Sequence, residues 1–79
     1  FNAGSVFKNT SKYKAAELID KADLKGSKVG GAVVSEKHAN FIVNAENATS
    51  ADILELLRII KETIKEKYNV SLEEEIHIW

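Results

Sequence analysis

The strongest pattern in the chain is a stripe of apolar residues at helical spacing. Ile53, Leu56, Leu57, Ile60, Ile64 and Tyr68 share one face, and the residues between them are mostly charged or polar. Thr49 with Asp52 three positions later matches a capping box, with Asp replacing the usual Glu. These signals predict a helix from about Ser50 to Lys67, ended by Asn69. A shorter stripe of Ala15, Leu18, Ile19 and Ala22 predicts a first helix from about Ser11, with Ser11 as its N-cap. Gly26 stands where the helix end or the following turn requires positive φ. Residues Phe1 to Thr10 read as irregular or briefly extended.

Extended structure is expected elsewhere. Val29, Val33 and Val34 favour a strand over Lys28 to Val34, interrupted at Gly30-Gly31 by a turn, a bulge or a close backbone approach. Phe41-Ile42-Val43 is a compact strand signal, and the polar Asn44 to Thr49 stretch reads as a loop. From Val70 to Trp79 a last strand is expected. Leu72, Ile76 and Ile78 fall on one face of it; Glu73, Glu75, His77 and Trp79 fall on the other. The order predicts an α+β domain: a small mixed or antiparallel sheet with two helices packed on one face.

Bulk properties narrow the classes. At 79 residues the chain suits a single domain over 1–79, since two independent cores need more chain. With 44% hydrophobic and 29% charged residues it reads as an ordinary globular mixture. The net charge of -1 lacks the basic excess that nucleic acid or an anionic membrane would require. No apolar run reaches the roughly 18 residues of a membrane-spanning helix, and no signal peptide is evident. The absence of cysteine excludes disulfides and thiolate metal sites. Proline is absent where average usage predicts about four, which suits a fragment or an engineered module.

Three segments carry candidate chemistry. In Ala3-Gly4-Ser5-Val6-Phe7-Lys8-Asn9, small residues leave the Ser5 hydroxyl accessible, and Lys8 and Asn9 add a charge and an amide. The segment suits an anionic or sugar-like ligand, and equally an ordinary surface turn; it lacks P-loop spacing. Ser35 to Asn40 precedes a strand, where polar residues commonly line sites. His38 there could donate to an anion or merely cap loop backbone. Glu73, Glu75 and His77 share a strand face, and neighbouring carboxylates raise each other's pKa, which favours proton donation. A plain solvated face fits the same pattern. A Ser5, His38 and Asp20 triad lacks the Gly-x-Ser-x-Gly elbow, and a His38, His77 and Glu75 metal site matches no recognised spacing.

Taken together, these segments resemble the C-terminal, substrate-binding domain of the UDP-N-acetylenolpyruvoylglucosamine reductase (MurB) family. Gly4 to Asn9 resembles that family's Gly-Ser-x-Phe-Lys-Asn motif. Gly30 to Asn44 looks like its second C-terminal motif, and Asn47 to Asp52 before the long helix and Leu72 to Ile76 at the end are similar too. The likeness extends over essentially the whole chain. Thr10 departs from it, standing where a proline usually follows, and Phe1 replaces a polar or proline-rich lead-in.

The resemblance implies a reductase in which NADPH passes hydride to FAD, and reduced flavin passes it to the enolpyruvyl double bond of UDP-N-acetylglucosamine enolpyruvate. It implies that Ser5 protonates the adjacent carbon and that Glu75 assists, with Glu73 as the alternative in a shifted register. Asn9 and His38 would contact the substrate. The family's flavin-binding domains lie N-terminal to this segment, so the chain alone is expected to hold no cofactor, to be inactive, and to act in the cytoplasm with those domains as partners. The alternatives are a folding module that has lost its function, or a self-associating chain whose domain-facing surface is exposed.

Overall fold

The structure, a computed structural model, describes residues 6–75. Its elements run α1 (Ala15–Lys21), β1 (Lys28–Val29), β2 (Ala32–Val34), β3 (Ile42–Asn44) and α2 (Ser50–Tyr68). The sheet has the order β1-β2-β3 and both pairings are antiparallel, so the choice between mixed and antiparallel is resolved. α2 packs over β1 and β2, and α1 packs beside it on α2. The expected α+β architecture is therefore present.

α2 forms where the stripe predicted it. Ile53, Leu56, Leu57, Ile60 and Ile64 are all buried, and Tyr68 packs at the edge of the core. The capping box closes in both directions: the Asp52 amide donates to Thr49 Oγ1 at 3.1 Å, and the Thr49 amide donates to Asp52 Oδ2 at 3.1 Å. Asn69 ends the helix in the left-handed region, with φ 55°, and its amide bonds the Lys65 carbonyl. Asparagine tolerates that conformation better than most residues.

α1 departs from the expected start. It begins at Ala15 rather than near Ser11, and its N-cap, Lys14, makes no side-chain cap bond. Residues 10–13 instead form a turn in which the Thr10 amide donates to the Tyr13 carbonyl and Thr10 Oγ1 accepts from the Lys12 amide. Asn9 Oδ1, six positions upstream, accepts the Ala15 amide at 2.9 Å. The helix end is thus satisfied from outside the local window that a capping rule scans. Gly26 takes φ 82° in the turn beyond α1, where its amide donates to the Val34 carbonyl.

The Gly30-Gly31 pair is the two-residue turn between β1 and β2, in a register that opposes Val29 and Ala32. It is also a close approach. A Cβ on Gly31 would collide with the Glu46 carbonyl, and the Gly31 carbonyl accepts from the Ala45 and Glu46 amides. β3 starts at Ile42, one residue later than the apolar triplet suggested.

The chain's last segment differs more. Among the described residues, the expected strand from Val70 consists of one isolated antiparallel bridge, Phe7 to Glu74, outside the three-stranded sheet. Its partner is the segment containing Val6 and Phe7, which brings the two ends of the described chain together. Leu72 is buried and Glu73 and Glu75 are exposed, as period two requires; Ile76 to Trp79 lie outside the described residues.

Candidate functional site

The site is built around a short backbone segment, residues 6–8, bonded on both sides. On one side the Lys8 amide donates to the Glu73 carbonyl at 2.8 Å, and the Glu75 amide donates to the Val6 carbonyl at 2.7 Å. On the other side stands Asn40. Its main-chain carbonyl accepts the Val6 amide at 2.8 Å, its Oδ1 accepts the Phe7 amide at 3.0 Å, and its Nδ2 donates to the Phe7 carbonyl at 2.9 Å. Asn40 is 5% exposed, the one buried polar residue beside the apolar core of the described chain. Val6 and Phe7 are each 1% exposed, so the segment is anchored by packing as well.

Next to this clasp is an open cavity of about 330 Å³, lined by Asn9, by the α1 face of Lys14, Ala16, Glu17 and Asp20, by Lys25, and by the Lys37 to Phe41 loop. Its volume is at the small end of the range for ligand sites. Three lysines and His38 face two carboxylates, and Lys25 is paired with Asp20 at 3.7 Å. Lys14 and Lys37 leave a modest positive balance suited to an anionic group.

The loop carrying His38 is shaped by Ser35. Ser35 Oγ accepts the Lys37 and His38 amides, and the Phe41 amide donates to the His38 carbonyl. These bonds close a turn that leaves the His38 side chain exposed, its ring tilted against Phe41 with centroids 5.2 Å apart.

The structure therefore brings two of the sequence candidates, Asn9 and His38, into one cavity. Asn9 spends its carbonyl oxygen on the α1 terminus, which leaves its amide nitrogen for a ligand. Glu75 does not line that cavity; it sits across the 6–8 segment, joined through Val6. Glu73 is joined through Lys8 in the same way. Ser5 lies outside the described residues, as does His77. Asp20 pairs with Lys25, which leaves the triad reading without support. Among the described residues no cluster of three His, Asp or Glu side chains is placed to hold a metal. Likewise, no helix among them is long and apolar enough to cross a membrane.

Two features escaped the sequence reading. Asn40 was legible only as one polar residue in a loop, because its bonds reach 33 positions along the chain. The Lys61 to Glu74 pair, at 3.1 Å, ties the terminal segment to α2; opposite charges 13 residues apart carry no local signature. Beneath that segment a groove of about 420 Å³ runs between Lys61, Lys65 and Leu72, remote from the candidate residues.

Comparison with known proteins gives a consistent result. All of residues 1–79 match the family described as UDP-N-acetylenolpyruvoylglucosamine reductase, C-terminal domain. A UDP-N-acetylenolpyruvoylglucosamine reductase of Bacillus licheniformis is 51% identical over 76 residues, covering 96% of this chain and 41% of the relative. UDP-N-acetylenolpyruvoylglucosamine reductase 2 of Symbiobacterium thermophilum is 53% identical over 78 residues, covering 99% of this chain and 25% of the relative. The crystal structure of UDP-N-acetylenolpyruvylglucosamine reductase (MurB) from Thermus caldophilus matches with a TM-score of 0.81 at 42% identity, over 99% of this chain and 27% of that one. The chain thus spans between a quarter and two-fifths of the length of these relatives.

Proposed function

The chain belongs to the C-terminal domain family of UDP-N-acetylenolpyruvoylglucosamine reductase, and on that premise we propose that it is the substrate-binding domain of a flavin-dependent reductase that converts UDP-N-acetylglucosamine enolpyruvate to UDP-N-acetylmuramate in peptidoglycan synthesis. The observation that carries this reading is the clasp on residues 6–8. It joins the Gly-Ser-x-Phe-Lys-Asn motif to the His38–Asn40 loop on one side and to Glu73–Glu75 on the other. Three segments far apart in sequence meet at one place, and each carries a residue assigned a role.

The reduction adds a hydride to one carbon of the enolpyruvyl double bond and a proton to the other. FAD, reduced by NADPH, supplies the hydride when bound. In this chain the Gly30-Gly31 pair turns a hairpin and does not open a helix, so it offers no dinucleotide cradle. Flavin and nicotinamide binding are accordingly assigned to the enzyme's other domains, which are this domain's partners in a cytoplasmic reductase.

This chain's residues have the remaining work. The Ser5 hydroxyl delivers the proton to carbon. A serine hydroxyl is far too weak an acid to do so unaided, and Glu75 assists by stabilising or replacing that proton. Asn9 and His38 hold the UDP-sugar in the cavity, and the lysines around it favour the diphosphate.

The test is a two-dimensional amide NMR titration of the 79-residue chain with UDP-N-acetylglucosamine enolpyruvate. Shifts at Gly4 to Asn9, Lys37 to Asn40 and Glu73 to His77 are expected. A dispersed spectrum that stays still at millimolar ligand would favour the folding-module reading instead.

A further inference from the structure

We propose that Asn40 is a positioning residue for the acid step, holding the segment that follows Ser5 in register with Glu75. This rests on the reductase reading above and assigns it a residue that touches neither substrate nor flavin.

A buried amide needs hydrogen-bond partners for its polar atoms. Asn40 is 5% exposed, and its main-chain carbonyl and both polar side-chain atoms are engaged with Val6 and Phe7. The side chain gives Phe7 one acceptor and one donor, the pair that an adjacent strand would supply. In effect one amide replaces a missing strand on that side of the segment. Among the described residues, no other group bonds the Phe7 amide or carbonyl.

The geometry then links Asn40 to Glu75. The Val6 amide is held by Asn40, and the Val6 carbonyl receives the Glu75 amide. Phe7 is likewise held by the Asn40 side chain and stands opposite Glu74, between the Lys8–Glu73 and Val6–Glu75 bonds. Asn40 and Glu75 are therefore linked through a single residue, Val6, which is covalently next to Ser5. A displacement of Val6 and Phe7 would move the Ser5 attachment point relative to the Glu75 backbone. A misplacement of about 1 Å at such a centre can cost roughly 100-fold in rate.

Asn40 also borders the ligand cavity through the loop that carries His38. Its side chain nevertheless turns inward, with both polar atoms bonded to Phe7. Its loss is therefore expected to act on the chemical step far more than on substrate affinity.

The experiment uses the flavin-loaded full-length reductase containing this domain, with Asn40→Leu and the isosteric Asn40→Asp. Asn40→Leu removes both side-chain bonds to Phe7; Asn40→Asp keeps an acceptor for the Phe7 amide and sets a second acceptor against its carbonyl. Flavin reduction by NADPH and flavin reoxidation by UDP-N-acetylglucosamine enolpyruvate are timed separately, at temperatures where thermal melts show each variant folded. The expected result is reoxidation slowed roughly 10- to 100-fold, with flavin reduction and the substrate KM unchanged within about 2-fold. If folded Asn40→Asp and any folded Asn40→Leu reoxidise flavin at the parent rate, the proposal is overturned and Asn40 serves stability alone. Should the parent's reduced flavin fail to react with the enolpyruvyl substrate, the reductase reading itself fails, an outcome distinct from failure of the Asn40 role.

Discussion

At Gly31 the constraint is space rather than φ. The Glu46 carbonyl and the Ala48 amide crowd the position a Cβ would take. Gly31→Ala is expected to destabilise the fold by about 1–3 kcal/mol, the usual cost of forcing extra volume into a packed site; urea unfolding would measure it. Asp52 serves two elements at once. Its Oδ2 accepts the Thr49 amide and, at 3.3 Å, the Gly31 amide. These hydrogen bonds, first that from Thr49, hold the carboxyl below its ordinary value. The folded pKa is depressed, so the associated stability is present above the unfolded pKa, about 4, and is lost as pH falls through the lower folded value. Asp52→Asn should therefore flatten the acid limb of a melting-temperature profile below about pH 4. An unchanged acid limb would show that the carboxylate adds nothing to pH-dependent stability.

α2 supplies five of the sixteen buried apolar residues among the described residues, more than any other element. Ile60 is 1% exposed and Leu57 is 2% exposed. Truncating either to Ala is expected to cost about 2–5 kcal/mol through lost burial and the cavity left behind, read as a lowered denaturation midpoint. On the opposite face, Arg58 reaches both Glu55 and Glu62. Those side chains are largely exposed, so Arg58→Ala should change stability by less than about 1 kcal/mol. Lys61 is different in consequence although similar in chemistry. It anchors Glu74, the residue beside Glu75. Lys61→Ala is expected to leave the melt nearly unchanged while raising amide exchange at Glu73 to Glu75. Unaltered exchange there would show that backbone bonds to Val6 and Lys8 suffice. α2 was fully legible because its signals are local: a 3.6-residue stripe, a cap three residues wide, and an asparagine at the end. α1 was misread at its start because its cap lies at Asn9, across an intervening turn.

At the scale of the whole molecule, the fold brings the two ends of the described residues together and leaves that pairing next to an open cavity. On the proposed reductase reading, the cavity takes the substrate and the enzyme's other domains hold the flavin. The 79-residue chain with added FAD and NADPH is accordingly expected to give no NADPH oxidation dependent on UDP-N-acetylglucosamine enolpyruvate; measurable turnover would refute the assignment of flavin binding to other domains. By itself, the sequence determined the two helices, the extended stretches around Gly30-Gly31 and Ile42, the apolar face of α2 and the family resemblance, because each is written in residues close together along the chain; it left Gly30-Gly31 open between a turn, a bulge and a close approach. Tertiary structure alone decided three things about the described residues: that both pairings of the sheet are antiparallel, that residues 73–75 bond residues 6–8 instead of extending the sheet, and that Asn40 is buried against Val6 and Phe7. Those outcomes depend on contacts spanning dozens of residues, where burial and hydrogen-bond satisfaction select the partner and no local pattern can encode it.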